Sequence, residues 1–273
     1  MTGSPLIFTD LDGTLLDRDT YSFEAALPAL DCLRRNVVPW ILVTSKTRSE
    51  VEFWRARLGN EHPFIVENGS AVFVPQRYFS NTVRGARHSG AYEILEWGAP
   101  YEELVGDLHR ASRASRCRVR GFHEMTPEEV AALCKLPLEQ AVMAKQREHD
   151  EPFRILDPDR ASRLRFTIEA QGRRCVPGGR FWHIFAGNGK AAAVQSLSAI
   201  YADEYGAVRS IGLGDGLNDV PFLNAMTLPV VIRSSEAAEL KIRVPRALVS
   251  ERPGPAGWNE AVLRLIGAED RPA

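Results

Sequence analysis

Asp10 and Asp12 stand one residue apart in Asp10-Leu11-Asp12-Gly13-Thr14, directly after the apolar run Pro5-Leu6-Ile7-Phe8. Residues two apart point to the same side of a strand, and the carboxyl end of a parallel strand is where α/β enzymes hold ligands. One carboxylate placed there can attack an electrophile while the other moves protons and a metal ion holds the pair. Asp, Gly and Thr are also ordinary turn formers, so the run can be read as a plain tight turn. A second acidic turn weighs against that. Ser210-Ile211-Gly212-Leu213 leads into Gly214-Asp215-Gly216-Leu217-Asn218-Asp219, where glycines permit sharp turning beside a ligand. Asp215 and Asp219 add hard oxygen donors of the kind Mg²⁺ prefers. Alone, this turn also reads as a loop in which Asn218 or Asp219 caps a helix.

Two further segments suit phosphoryl chemistry. Val38-Pro39-Trp40-Ile41-Leu42-Val43 reads as a buried strand ending in Thr44-Ser45-Lys46-Thr47, whose hydroxyls and backbone N–H groups can hold a phosphoryl oxygen. Ser45 or Thr47 with Glu50 also reads as a helix start, and capping and phosphate contact are compatible. Lys190, in Gly187-Asn188-Gly189-Lys190, precedes an alanine-rich helix expected over Ala191 to Ala202. A lone lysine is commonly a solvated charge; beside paired carboxylates it can neutralise a phosphoryl group in flight.

These residues need a frame. Alternating patterns predict strands at Leu6 to Thr9, Val38 to Thr44, Phe64 to Val66 and Ala71 to Val74, with helices at Tyr21 to Arg35 and Ser49 to Leu58. Such alternation marks a parallel sheet. From about Arg84 to Trp182 the pattern changes to helices at Ala99 to Ser112, Thr126 to Lys135 and Leu138 to Lys145, and short strands at Phe153 to Leu156, Arg163 to Ala170 and Arg173 to Val176. Pro75 with the polar run Ser80 to Ser89 reads as an exit hinge, and Gly187 to Gly189 as a return hinge. Strands resume at Arg209 to Leu213 and Pro229 to Ile232, and Glu269 to Ala273 reads as a frayed end. The expected division is a core of residues 1–83 and 186–273 with an inserted cap at 84–185.

A length of 273 residues suits one large α/β domain or two domains. With 34 basic and 35 acidic residues, the formal net charge of -1 leaves no footprint for nucleic acid or an acidic membrane surface. No apolar stretch reaches spanning length, and Met1 to Asp10 lacks the pattern of a signal peptide, so the expected location is the cytoplasm. Cys32, Cys117, Cys134 and Cys175 have no CxxC spacing, which predicts reduced, packed thiols rather than a zinc site.

The order and types of Asp10-x-Asp12-Gly13-Thr14, Thr44, Lys190 and Gly214-Asp215-Gly216-x-Asn218-Asp219 resemble the haloacid dehalogenase superfamily of phosphohydrolases. The resemblance implies a Rossmann-like parallel core with helices on both faces and an inserted α+β cap. It also implies that Asp10 is the nucleophile, Asp12 the general acid/base, and Thr44, Ser45 and Lys190 phosphate binders. Mg²⁺ would be held by Asp10, Asp215 and the backbone carbonyl of Asp12, with Asp219 and Asn218 in support. Thr44-Ser45-Lys46-Thr47, Pro63 to Gly69, Lys145-Gln146-Arg147-Glu148 with Glu151-Pro152-Phe153, and Gly178 to His183 are similar to segments of the mannosyl-3-phosphoglycerate phosphatases. Where that family has Asp-Lys-Gly this chain reads Gly189-Lys190-Ala191, and Gly216 stands where Ser is frequent.

A phosphate monoester dianion resists attack by water, so positioning, charge compensation and division of the reaction into two steps all help. Asp12 would protonate the leaving oxygen and then deprotonate water, which requires that it hold a proton more readily than Asp10. A lid over the sheet would exclude water. Gln146, Arg147, Arg165, Arg180 and His183 are the cap candidates for a glycerate carboxylate and sugar hydroxyls, with Lys46, Glu67, Asn68 and Gly69 from the core. The expected substrate is 2-O-mannosyl-3-phosphoglycerate, with the glucosyl analogue or another sugar phosphate as the alternative. A phosphotransferase or mutase and a non-catalytic sugar-phosphate binder are the other readings, and a homodimer is compatible with each.

Overall fold

A computed structural model describes residues 3–267; the frayed end expected at Glu269 to Ala273 lies outside them. The chain starts with β1 (Ser4–Thr9), whose alternating side chains feed two cores. Ile7 faces one hydrophobic cluster, and Leu6 and Phe8 face the other. A strand buried on both faces is apolar throughout, as this one is. After a single 3-10 turn, Glu24–Ala26, comes α1 (Leu27–Arg35). This helix was expected from Tyr21, but Pro28 has no N–H to donate and sits in the first turn, where none is needed.

Next are β2 (Trp40–Val43), α2 (Arg48–Leu58), β3 (Phe64–Val66) and β4 (Ala71–Pro75). Thr47 and Glu50 form a reciprocal cap on α2, and Gly59 ends it in the left-handed region. A hairpin follows, β5 (Arg87–Ser89) and β6 (Tyr92–Glu96), and β6 pairs with β4. The segment was expected to belong to the exit hinge and the start of the cap. Its cross-strand pairing instead extends the core sheet beyond residue 83.

The cap segment runs through α3 (Tyr101–Ser115), β7 (Val119–Gly121), α4 (Pro127–Cys134), α5 (Leu138–Ala144), β8 (Asp150–Ile155), α6 (Ala161–Ala170), β9 (Arg174–Pro177) and β10 (Trp182–Phe185). Its sheet is antiparallel, in the order β7-β8-β10-β9. Leu104, Leu108 and Ala111 of α3 and Leu164 and Ile168 of α6 pack beneath it. The stretch Arg163 to Ala170, expected as a strand, is helix α6. Leu164 and Ile168 are buried four residues apart, Arg165 and Glu169 pair at the same spacing, and Phe166 is left exposed.

The chain returns through α7 (Gly189–Tyr205), β11 (Val208–Gly214), α8 (Val220–Ala225), β12 (Leu228–Arg233), α9 (Ala237–Arg243), β13 (Leu248–Pro253) and α10 (Gly254–Ile266). The nine core strands lie in the order β13-β12-β11-β1-β2-β3-β4-β6-β5. Pairing is parallel from β13 to β3 and antiparallel beyond. Helices α1, α2 and α10 cover one face, and α7, α8 and α9 the other. The consequence for function is direct: β11, β1 and β2 are parallel neighbours, so Asp215, Asp10 and Thr44 emerge side by side from the same edge. All four cysteines are buried and unpaired, and no described helix is long and apolar enough to cross a membrane.

Candidate active site

Asp10 ends β1 with its backbone N–H bonded to Leu213 O at 2.9 Å, and its carboxylate is buried. Lys190 Nζ reaches Asp10 Oδ1 at 2.9 Å and Asp219 Oδ1 at 2.7 Å. The ammonium is therefore oriented from two sides without an aspartate at position 189. Gly189 itself has φ +75° and packs against Gly69, where a Cβ would lie 2.4 Å from Gly189 C. Burial works against the charge on Lys190, but Asp10 and Asp219 outweigh it and raise its pKa.

Asp10, Asp215 and Asp219 each present an oxygen within 4.8 Å of the others, and all three are buried. Asp215 Oδ1 accepts from Thr14 Oγ1 at 3.0 Å and Oδ2 from Arg18. Asp219 Oδ2 also accepts the N–H groups of Asp215 and Gly216, both at 3.2 Å, so it shapes the turn as well as adding charge. A Cβ on Gly216 would lie 2.5 Å from Asn218 Oδ1; serine there would require Asn218 to move. Burial and Asp219 push Asp10 well above the usual carboxylate range, with Lys190 opposing. The same two causes, opposed by Arg18, take Asp215 up to about 6. Two cations near three clustered carboxylates leave the group under-compensated.

Asp12 is not in that trio. Its Oδ2 pairs with Lys46 Nζ at 3.0 Å, while Oδ1 is buried with no hydrogen-bond partner among the described residues. Lys46 also reaches Glu50 at 3.4 Å; burial opposes its charge, but Asp12 and Glu50 more than offset this and raise its pKa.

One cavity of about 180 Å³ joins these groups to the cap. From the core it is lined by Asp10, Asp12, Arg18, Tyr21, Thr44, Ser45, Lys46, Glu50, Asp215, Asn218 and Glu236, and from the cap by residues including Arg147, Arg180, Phe181 and His183. Of the expected substrate contacts, Lys46, Arg147, Arg180 and His183 line it, and Gln146, Arg165, Glu67, Asn68 and Gly69 do not. Gln146 instead meets Ser49 on the exposed surface, and Arg165 is paired with Glu169 on the outside of α6. Glu67 and Asn68 tie core to cap. Glu67 accepts the N–H groups of Glu148 at 3.0 Å and His149 at 2.7 Å, and Asn68 donates to Asp150 at 2.8 Å.

Asp150 is the hub of that junction, with Arg147 Nη2 at 2.6 Å and His183 Nδ1 at 2.8 Å from Oδ1. Arg147 also donates to Ser45 O at 3.0 Å, which reaches back to the core loop. Sequence reading missed Arg18, Tyr21, Asp150 and Glu236. Arg18 carried a signal, being the one cation between Asp10 and Leu27. Asp150 had none locally, because only the pairing of β8 with β10 brings it beneath His183.

A sequence model of the haloacid dehalogenase-like hydrolases matches residues 7–96. A glucosyl-3-phosphoglycerate/mannosyl-3-phosphoglycerate phosphatase of Methanococcoides burtonii is 39% identical, covering 96% of this chain and 97% of its own. Its counterpart in Persephonella marina is 37% identical over 97% of this chain and 98% of its own. The chain belongs to the haloacid dehalogenase-like sugar-phosphate phosphatases. Its fold agrees: a crystal structure of a Thermoplasma acidophilum protein superposes with a TM-score of 0.67 at 19% identity, covering 97% of this chain and 99% of that one. Within a phosphatase of this family, the cavity sets carboxylates on the core side against guanidinium and imidazole groups on the cap side.

Proposed function

We propose that this phosphatase hydrolyses 2-O-hexosyl-3-phosphoglycerates through an aspartyl-phosphate on Asp10, taking 2-O-mannosyl-3-phosphoglycerate and, as the second substrate, its glucosyl analogue. The observation that carries the reading is the shared cavity, in which Asp10 and Asp12 face a cap bearing Arg180 and His183. The working unit is a core plus a cap lying between Glu96 and Gly189. The names of the Methanococcoides and Persephonella relatives support acceptance of both sugars.

The donor set fits Mg²⁺: three buried carboxylates whose oxygens converge, with raised pKa values at Asp10 and Asp215 that a divalent cation would lower. Asp10 and Asp215 would hold the ion, with Asp219 beside them; when bound, it supplies the charge compensation that keeps Asp10 ionised and offsets charge on the phosphoryl group.

Asp10 attacks phosphorus in line and the glycerate oxygen leaves. Asp12, whose Oδ1 has no hydrogen-bond partner among the described residues, protonates that oxygen and later takes a proton from the water that cleaves the aspartyl-phosphate. Lys46 holds the other Asp12 oxygen and fixes the carboxyl plane. Thr44 and Ser45, at the end of β2, line the phosphate side, and Lys190 holds Asp10 from behind. Arg180 and His183 stand on the sugar and glycerate side, where a guanidinium pairs well with a carboxylate.

The test is phosphate release from the mannosyl ester, the glucosyl ester and 3-phosphoglycerate, with Mg²⁺ and with chelator. Hydrolysis of both hexosyl esters, favouring the mannosyl one and lost with chelator, is expected. Equal rates on all three would replace this reading with a broad phosphatase, and no release would leave a sugar-phosphate binder.

A further inference from the structure

The loop after Asp10 carries a charged group for which the proposed reaction has no task. Arg18 lines the cavity with 51% of its side chain exposed, and donates from Nη2 to Asp215 Oδ2. The backbone makes room for this pair. Gly13 has φ +82°, and a Cβ there would lie 2.4 Å from Asp215 Oδ2 and 3.0 Å from Arg18 Nε and Nη2. Across the cavity the guanidinium meets the cap, since a Cβ on Gly179 would lie 3.2 Å from Nη1. Thr14 holds Asp215 Oδ1, so both oxygens of that carboxylate are engaged.

Resting on the metal reading above, the geometry points to Arg18 as a displaceable guanidinium that holds Asp215 until a divalent cation takes Oδ2, and then turns to bind an oxyanion of the substrate. Charge favours the exchange. With Lys190 and Arg18 in place, the three carboxylates keep one uncompensated negative charge; with Lys190 and a divalent cation they keep none. The guanidinium lies close to Gly13 on the core side and Gly179 on the cap side, and half of its side chain is exposed to the cavity. A planar fork suits either oxyanion the substrate carries, phosphoryl or carboxylate. Ion uptake and substrate binding are thereby coupled through one side chain, and the order is ion first.

Mn²⁺ binding measured by electron paramagnetic resonance without substrate tests the exchange. Arg18→Gln should bind Mn²⁺ about tenfold more tightly than wild type, the scale of losing one charge-assisted competitor. Arg180→Gln removes a cation from the same cavity without freeing Asp215, and should stay within about twofold of wild type. With Mn²⁺ bound, Arg18→Gln should lose about tenfold in affinity for inorganic phosphate or for glycerate. Whichever is lost identifies the oxyanion that the guanidinium takes. Binding by Arg18→Gln no tighter than wild type, equal tightening in Arg180→Gln, or unchanged affinity for both anions would overturn the inference. Failure of every variant and wild type to bind Mn²⁺ would instead overturn the metal reading, and this inference with it.

Discussion

Asp10 in the core and Asp150 in the cap are both buried aspartates with a cationic partner, yet their acidities move in opposite directions. At Asp150, burial favours the neutral form, but His183 and Arg147 outweigh it, with Asn68 donating as well, and the pKa falls below its ordinary value. At Asp10, burial and the neighbouring Asp219 win over Lys190, and the pKa rises well above the ordinary value. Burial alone therefore does not decide the outcome; the balance of donors and like charges does. Glu67 shows the rule again. Arg147 is 3.8 Å from it rather than 2.6 Å, and burial takes its pKa up to about 7. The cap completes its central carboxylate and so makes it a strut, while the core leaves its trio short of positive charge, as the proposed cation site and nucleophile require.

The largest expected effect comes from Asp10→Asn. Loss of the proposed nucleophile should lower kcat on the order of 10⁴-fold or more, while the melting temperature stays level or rises because one repelling charge is gone. A melting temperature several degrees lower would break the contrast. Asp150→Ala should do the reverse. Arg147 and His183 would be left buried without their partner, and urea unfolding should show a loss of about 3–5 kcal/mol. Residual activity should show a larger change in KM than in kcat, since Asp150 positions His183 and touches no reacting atom.

Glu67→Gln sharpens the comparison through pH. The folded pKa of about 7 lies above the ordinary 4.5, so the cost of this carboxylate is absent below about pH 4.5 and complete above about pH 7. Relative to wild type, the variant should gain about 2 kcal/mol of stability at pH 8 over its value at pH 5. At Asp215, raised to about 6, protons should compete with a divalent ion. Mg²⁺ affinity, followed by calorimetry, should weaken at least about tenfold for each unit of acidification below pH 6, because Asp10, also raised, adds to the competition.

The proposed reactive centre was legible because each member closes an apolar strand or opens a helix: Asp10 after Leu6 to Phe8, Thr44 after Trp40 to Val43, Asp215 after Ile211 to Leu213. A local pattern suffices when neighbouring parallel strands present their carboxyl ends together. The cap was harder to read. His183 and Arg147 reached the cavity as expected, but Arg165 did not, because the stretch read as a strand is an amphipathic helix with Arg165 outward. Glu67 and Asn68, expected as substrate contacts, bond to the junction with the cap, and Gly69 packs against Gly189. Asp150, Tyr21 and Glu236 depend on contacts across long stretches of chain, which no spacing in the sequence encodes.

The most direct test of the account is the stereochemical course at phosphorus. Mannosyl-3-phosphoglycerate made chiral at phosphorus with oxygen isotopes would be hydrolysed by the Mg²⁺-loaded enzyme, and the configuration of the released phosphate determined. Two successive in-line displacements, first by Asp10 and then by water, predict net retention. Net inversion would mean that water attacks the substrate directly, and would contradict the role assigned to Asp10.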